Sequence, residues 1–396
     1  MSPSIRLAIL ASHPVQYYAP MFRELAKRVD LHVFYAHSAT PEQQAAAGFG
    51  RAFEWDIPLT EGYSFSFLNN ISKRPGTDWF GGCDTPEIYD LLKGGHFTVV
   101  LTLGWHLKSM IQGVFAAKRL GLPILVRGDS QLSTPRSLMK RWVKALAYPI
   151  LLRAFDAALY VGKNNYNYWR AYGFPTDRLF HSPHCVETER FARGATLEAR
   201  SALRKRLNIN PASFVVLFAG KLLPFKRPLD VVRAVAMVRA EGLDCRVMVA
   251  GSGPLEAELI HEAKATEVPL DLLGFQNQSE MPAAYAAADL LVLPSTGRET
   301  WGLVANEALA SGLPIAVSDQ VGCGPDLAND GYVGRIFPMG NIRALAEAIQ
   351  ACLAFPPSYQ AVARVSDAHS IEAACAGIIE SLSDQVNRLS GQSKNL

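Results

Sequence analysis

The sequence predicts an α/β protein built from two doubly wound parallel sheets, and three observations carry that reading. Short apolar runs fall at 5–11, 30–36, 98–104, 123–127 and 157–161, and again at 213–219, 245–250, 269–273, 290–294, 314–318 and 333–337. They lack strict polar alternation, as strands covered on both faces should. Helical stretches separate most of them, which is the βαβ rhythm of doubly wound sheets. The two series part near 191–210, a charged stretch with Pro183 before it and Pro211 after it. Two domains follow, 1–190 and 191–370, with a last helix from about 371 to 389 and a tail.

Composition bounds the function. With 396 residues, 49% hydrophobic and 19% charged, the chain can bury two ordinary cores. A net charge of +3 gives no reason to expect a nucleic-acid partner. The six cysteines are scattered without a Cys-x-x-Cys pair, which disfavours a zinc site or a disulfide framework and suits a reducing compartment. No run reaches the roughly 18 apolar residues needed to span a bilayer. The apolar start, Leu7 to Ala11, is too short for a signal segment and reads as the first buried strand.

In doubly wound sheets ligands sit beyond the carboxyl ends of the strands, so the segments that follow each strand are the candidates. After the first comes Ser12-His13-Pro14-Val15-Gln16-Tyr17-Tyr18. Later strands end in Gly104-Trp105-His106, Arg127-Gly128-Asp129-Ser130 and Gly162-Lys163-Asn164, all expected to face the cleft. Arg127 and Asp129 form either a ligand-binding pair or a structural ion pair. From Arg136 to Arg153, Arg136, Lys140, Arg141 and Lys144 alternate with Leu138, Trp142, Val143, Leu146, Ile150 and Leu151. Such a basic amphipathic helix either lies in a membrane interface or packs against a sheet.

The most informative block is in the second half: Glu299-Thr300-Trp301-Gly302-Leu303-Val304-Ala305-Asn306-Glu307. The strand Leu290 to Leu293 leads into it, and a helix from Val304 to Ala310, stopped by Gly312 and Pro314, leads out. Glu299 then lies in the loop and Glu307 on the helix. Between them the unpaired amides of Gly302, Leu303 and Val304 suit a phosphate group, and the two carboxylates can accept hydrogen bonds from hydroxyls on either side of it.

This block resembles the C-terminal motif of family 4 glycosyltransferases. Phe218 to Pro228, Ala250-Gly251-Ser252-Gly253-Pro254, Leu273-Gly274-Phe275 and Ala288-Asp289 follow the same pattern in the same order. The resemblance is close over 213–350 and loose before it. It implies the GT-B fold, two Rossmann-like domains with parallel sheets facing a central cleft. It also implies a last helix that returns to the first domain, although an ordinary packing helix fits the sequence as well.

The resemblance further implies a cytoplasmic, retaining enzyme that moves a hexose or N-acetylhexosamine from a nucleoside diphosphate sugar to a saccharide or lipid-linked acceptor in surface polysaccharide or glycolipid synthesis. Contact with the inner face of the cell membrane would run through 136–153. Glu299 would accept hydrogen bonds from the transferred sugar, Glu307 from the ribose, and His106 would lie near that sugar. Lys221 and Lys226 occupy a basic pair that is usually Arg then Lys, and would hold the diphosphate. Lysine at 221 keeps the charge but loses the bidentate fork. Arg227 beside them is read as facing solvent. Gly251, Gly253 and Phe275 would line the nucleotide pocket. His13, Gln16 and Tyr17, with Arg127 and Asp129, would face the acceptor. No Asp-x-Asp motif occurs, so lysines and amides would replace a metal ion, and no cofactor is expected. A sugar-nucleotide epimerase of the same architecture and a non-catalytic nucleotide-sugar-binding subunit are the rival readings.

Overall fold

The computed structural model describes residues 5–40, 53–328, 331 and 333–392. Its first sheet joins β1 (Arg6–Ala11), β2 (Asp30–Tyr35), β3 (Ser64–Phe67), β4 (Val99–Leu103), β5 (Ile124–Gly128), β6 (Ala157–Tyr160) and β7 (Leu179–His181) in the order β3-β2-β1-β4-β5-β6-β7. The second joins β8 (Phe214–Ala219), β9 (Cys245–Ala250), β10 (Leu270–Gly274), β11 (Leu290–Leu293), β12 (Ile315–Ser318) and β13 (Gly334–Phe337) in the order β10-β9-β8-β11-β12-β13. Every neighbouring pair is parallel. The order reverses at β1/β4 and at β8/β11, the two switch points where such sheets open for ligands.

The central strands are buried on both faces, which is why their sequences show no alternation. Each sheet carries two apolar layers. Leu7, Ile9, Leu101 and Leu159 pack under the helices Tyr18–Ala26 and Ile371–Gln392, while Leu10, Val100 and Val126 face Met110 and Val114 of Lys108–Arg119. In the second sheet Val216, Val247 and Val292 meet Val231, Val235 and Ile349, and Leu217, Leu291 and Val317 meet Ala284, Ala305 and Leu309. The last helix, Ile371–Gln392, lies on the first sheet against β7 and the helix Tyr18–Ala26, and Ser182 Oγ donates to the Ala374 carbonyl at 2.9 Å.

The charged stretch 191–210 is not an open connection. Thr188–Gly194 and Leu197–Arg206 are helices, the second capped by Thr196 Oγ1 accepting from Ala199 N. Its arginines turn inward. Arg200 and Arg204 donate to the two Asp289 oxygens at 2.7 and 2.6 Å, and Asp289 also accepts from Val215 N at 2.8 Å. Arg204 is buried and fills the carbonyls of Ala287, Pro211 and Ser213 as well. This cluster docks the connecting helix onto β8 and the start of β11. Asp289→Ala leaves two guanidinium groups facing carbonyls alone, and the expected loss of stability is roughly 2–4 kcal/mol, read from urea unfolding of the variant. A loss under about 0.5 kcal/mol would show that the cluster does not dock the helix.

Candidate active site

The carboxyl ends of the two sheets face each other, and the loops after β8, β9, β10 and β11 build one side of the cleft. The loop after β8 starts at Gly220, makes a short 3-10 turn over Pro224–Lys226 and turns left-handed at Arg227, φ 54°. Arg227 does not simply face solvent: it pairs with the buried Asp230 at 2.5 Å, which fixes the entry to the helix Pro228–Ala240. The loop after β9 lies directly against it. A Cβ at Gly251 would stand 1.9 Å from the Gly220 carbonyl, and Leu222 N donates to the Ser252 carbonyl at 2.9 Å. Gly251 and Ser252 line the cavity beside them, while Gly253 is pressed against the backbone of Leu222 and acts in packing.

The helix Val304–Ala310 starts and stops where the sequence places it. Its end is a Schellman arrangement: Leu313 N reaches the Ala308 carbonyl at 2.8 Å with Gly312 at φ 77°. The loop before it is held from several sides. Gly322 N donates to the Glu299 carbonyl and Cys323 N to that of Trp301, both at 3.1 Å; a Cβ at 322 would overlap the Thr300 carbonyl. Gln131, buried in the first domain, spans the cleft and gives its amide to the carbonyls of Gly297, Glu299 and Gln320 at 3.0 to 3.2 Å.

Both carboxylates are engaged. Glu299 forms an ion pair with Lys226, and Ser295 Oγ donates to the same oxygen at 3.3 Å. Glu307 is fully buried and accepts from Tyr17 Oη at 3.1 Å, Gln278 Nε2 at 3.2 Å and Tyr285 Oη at 2.5 Å. Burial pushes its pKa up even though all three donors favour the charged form. Lys221 is pushed down by burial and by the charge of Lys226, with Glu299 pulling the other way.

Three cavities run in a row along the cleft. The first, about 430 Å³, is lined by Lys221, Lys226, Gly251, Ser252, Phe275, Gln278 and Glu307 of the second domain, and by Gln16, Tyr17 and Trp55 of the first. The second, about 310 Å³, holds Lys226, Glu299, Gly302, Leu303 and Val304 opposite Tyr17, Tyr18, Asp129 and His184. The third, about 350 Å³, lies in the first domain between His13, Trp105, His106, Arg127, Asp129, Lys144 and Tyr148. Tyr17, Lys226 and Val304 are shared by the first two, Tyr18 and Asp129 by the last two.

The structure therefore brings Lys221, Lys226, Glu299, Glu307 and the 302–304 segment together, and sets His106 apart from them in the third cavity with His13. Burial lowers the pKa of His13 to about 4, helped by His37 and His106, and burial lowers that of His106. Arg127 and Asp129 do not pair with each other. Arg127 is buried and donates to Ser182 Oγ and to the carbonyls of Ser182 and Pro183, bracing β5 against the segment after β7. Asp129 accepts from Thr300 Oγ1 across the cleft at 2.7 Å, with His184 Nε2 3.9 Å away. Burial opposes its charge, but His184 and Thr300 hold the carboxyl at about 2. The Gly162-Lys163-Asn164 cluster is a structural bolt: Lys163 N donates to Asp326 at 3.0 Å and its Nζ to the Pro325 carbonyl at 2.9 Å.

Trp55, Gln278, Tyr285 and Gln131 carry no signal in the sequence, and Lys144 reads there as part of a surface helix rather than a cavity wall. An amide donor or a phenol leaves no motif; only the fold places these side chains against Glu307 or the 297–301 loop.

The chain resembles known proteins mainly in its second half. The description Glycosyl transferases group 1 matches residues 199–369. That match lies in the second half of the chain. D-inositol 3-phosphate glycosyltransferase of Streptomyces bingchenggensis is 35% identical over 167 residues, 39% of this chain and 36% of that protein. The enzyme of the same name from Nocardia farcinica is 27% identical over 283 residues, 68% of this chain and 59% of that one. The matches thus span about a third to three fifths of these relatives' length. HepE of Anabaena, solved in complex with UDP, superposes with a TM-score of 0.73 at 17% identity over 96% of this chain and 100% of that one. That likeness shows the GT-B fold.

The raised pKa of Glu307 has a measurable consequence. A carboxyl whose folded pKa lies above its unfolded value contributes fully at low pH and loses that contribution as pH rises through the folded pKa. Glu307→Gln removes the titration. The variant should melt above wild type at pH 8, with the gap closing as pH falls below the ordinary carboxylate range. A gap independent of pH would mean that Glu307 does not titrate on unfolding as inferred.

Proposed function

We propose that this protein is a retaining, metal-independent family 4 glycosyltransferase. It moves a hexose or N-acetylhexosamine from a nucleoside diphosphate sugar to a saccharide or lipid-linked acceptor, at the cytoplasmic face of a membrane where surface polysaccharide or glycolipid is built. The observation that carries the reading is the row of cavities that share lining residues, with Lys221 and Lys226 at the start, Glu299 in the middle and a polar chamber in the first domain at the end.

On this reading the second domain, 191–370, holds the donor and the first, 1–190, the acceptor, with the helix Ile371–Gln392 returning to the first. The ribose lies by Glu307, the diphosphate by Lys221, Lys226 and the amides of Gly302 to Val304, and the transferred sugar by Glu299. As the glycosidic bond breaks, negative charge grows on the diphosphate, and the two ammonium groups are fixed where it appears. Lys226 exchanges Glu299 for a phosphate oxygen, which frees Glu299 to accept sugar hydroxyls. The leaving phosphate oxygen takes the acceptor proton and attack comes from the same face, so no protein nucleophile is needed. The presence of UDP in the HepE structure supports the nucleotide assignment.

The helix Leu138–Leu151 supports a membrane setting. Leu138, Trp142 and Leu146 are 71%, 70% and 74% exposed, and Met139, Val143, Ile150 and Leu151 are exposed with them. Arg136, Lys140, Arg141 and Arg153 flank this face, while Lys144 and Tyr148 on the other side line the third cavity. No helix among the described residues is long and apolar enough to cross a membrane. The helix instead has the pattern of an interfacial anchor, with basic residues toward anionic headgroups. An acceptor held at the surface would enter beside it.

Lys226→Ala should lower turnover by roughly 10²–10³, the usual effect of removing one such donor; near-normal turnover takes Lys226 out of the mechanism. In a thermal-shift series with UDP, GDP and ADP, one nucleotide at 100 times its dissociation constant should stabilise by roughly 2.7 kcal/mol, and no response to any of them would count against the donor cavity. In flotation with vesicles of anionic lipid the protein should rise at low salt, and Leu146→Glu with Trp142→Glu should stay at the bottom. Failure of the wild type to float ends the membrane assignment.

A further inference from the structure

Resting on the reading that the 430 Å³ cavity takes a nucleoside diphosphate, we propose that the first domain supplies a wall of the nucleobase end, and that Trp55 is a base-binding residue that packs on the base.

The sheet sets the chemical direction of the cavity. Lys221 and Lys226 follow β8, Gly251 and Ser252 follow β9, and Phe275 and Gln278 follow β10; β8, β9 and β10 are consecutive in the sheet. Two strand spacings of about 4.8 Å separate the lysine loop from the Phe275 loop, about 10 Å in all. A nucleoside diphosphate with its phosphates on the lysines therefore reaches the Phe275 loop with its base. Of the first-domain residues that line this cavity, Gln16, Tyr17 and Trp55, it is Trp55 whose neighbours bond to the segment that follows Phe275.

Trp55 is held there by a strap that crosses the cleft. Asn277 Nδ2 donates to the Glu54 carbonyl at 2.7 Å, and the Asp56 carboxylate accepts from Ser279 N at 3.1 Å and from Ser279 Oγ. The Phe53 ring lies 4.3 Å from that of Phe275 and 4.9 Å, edge to face, from that of Trp55. Hydrogen bonds on both sides of Trp55 and a ring on its flank fix the indole before any ligand arrives. The half-buried indole thus offers an aromatic surface at the end of the cavity without the ordering cost that a mobile side chain would carry. Base recognition then draws on both domains, and the nucleotide joins them.

The test is calorimetric titration of the full chain with UDP, GDP, ADP and inorganic pyrophosphate. Trp55→Ala and Trp55→Leu should each weaken the preferred nucleoside diphosphate about tenfold, the scale of one lost base–aromatic stack, and Trp55→Phe less than about threefold. Pyrophosphate, which needs only the lysine end, should bind all variants as it binds the wild type. Unchanged nucleotide affinity in Trp55→Ala and Trp55→Leu overturns the proposal. Parallel losses for nucleotide and pyrophosphate overturn it too, because they make Trp55 a strut of the strap alone. A wild type that binds none of the three nucleotides brings down the donor reading itself, a result distinct from either.

Discussion

The buried carboxylate of Glu307 is the constraint around which the cleft is arranged. A carboxylate out of water needs its lone pairs filled, and among the described residues two phenols and one amide donate to this one. Tyr285 comes from the helix Met281–Ala287, Gln278 from the loop after β10 and Tyr17 from the first domain. Gln278 is itself fixed by Arg190, which donates to its carbonyl and side-chain oxygen, both at 2.6 Å. One charge thus ties four segments of chain together, and one of those ties crosses between domains. Neutral donors leave the oxygen electron-rich toward a further hydroxyl, which a direct ion pair would not.

Glu299 shows the opposite solution. It lines the second cavity and is paired with Lys226, which lines the first cavity as well, so that neither charge is left uncompensated. A pair of this kind is held by mutual attraction and is exchanged when a stronger anion arrives, because a diphosphate offers the ammonium more negative charge than one carboxylate does. The two acidic residues of the motif are consequently different in kind. Glu307 is locked by its surroundings and sets position; Glu299 is held by a partner that the proposed chemistry takes away. Their identical side chains and symmetric placement in the sequence hide this difference, which follows from burial and from what each carboxylate touches.

The second sheet was legible because its strands are uniformly apolar and its loops carry Gly, Lys and Glu at fixed intervals. All six of its strands fall within a residue or so of the apolar runs. In the first sheet β3 and β7 escaped. Ser64–Phe67 alternates serine with phenylalanine at an exposed edge, and Leu179–His181 is three residues long, so neither has the continuous apolar signature of a central strand. The Ala288-Asp289 pair was legible as a motif without its reason, which is the arginine cluster from a helix eighty-odd residues earlier. Arg127 was legible as the polar end of a strand, with ligand binding and an ion pair to Asp129 both open, but nothing in Arg-Gly-Asp separates a partner at Asp129 from carbonyls at 182 and 183. Such distinctions depend on which chain ends the topology brings side by side.

The helix Leu138–Leu151 shows most clearly what pattern alone leaves open. Its spacing of apolar and basic residues is the same whether the apolar face meets a sheet or a bilayer, because periodicity reports that a face exists and not what covers it. The structure shows which face of the helix meets the protein. Lys144 donates to Tyr168 Oη at 2.9 Å and lies over the rings of Tyr148 and Tyr172, so the aromatic side of the helix is the one spent on the protein. The tryptophan and leucine side is then left outward, along a helix with Arg136, Lys140, Arg141 and Lys144 and no acidic residue. A helix meant only to cover a sheet would spend its largest apolar groups inward. Spending Tyr148 and a lysine there instead, and leaving Trp142 and Leu146 in solvent, is the arrangement expected when a second apolar phase completes the surface.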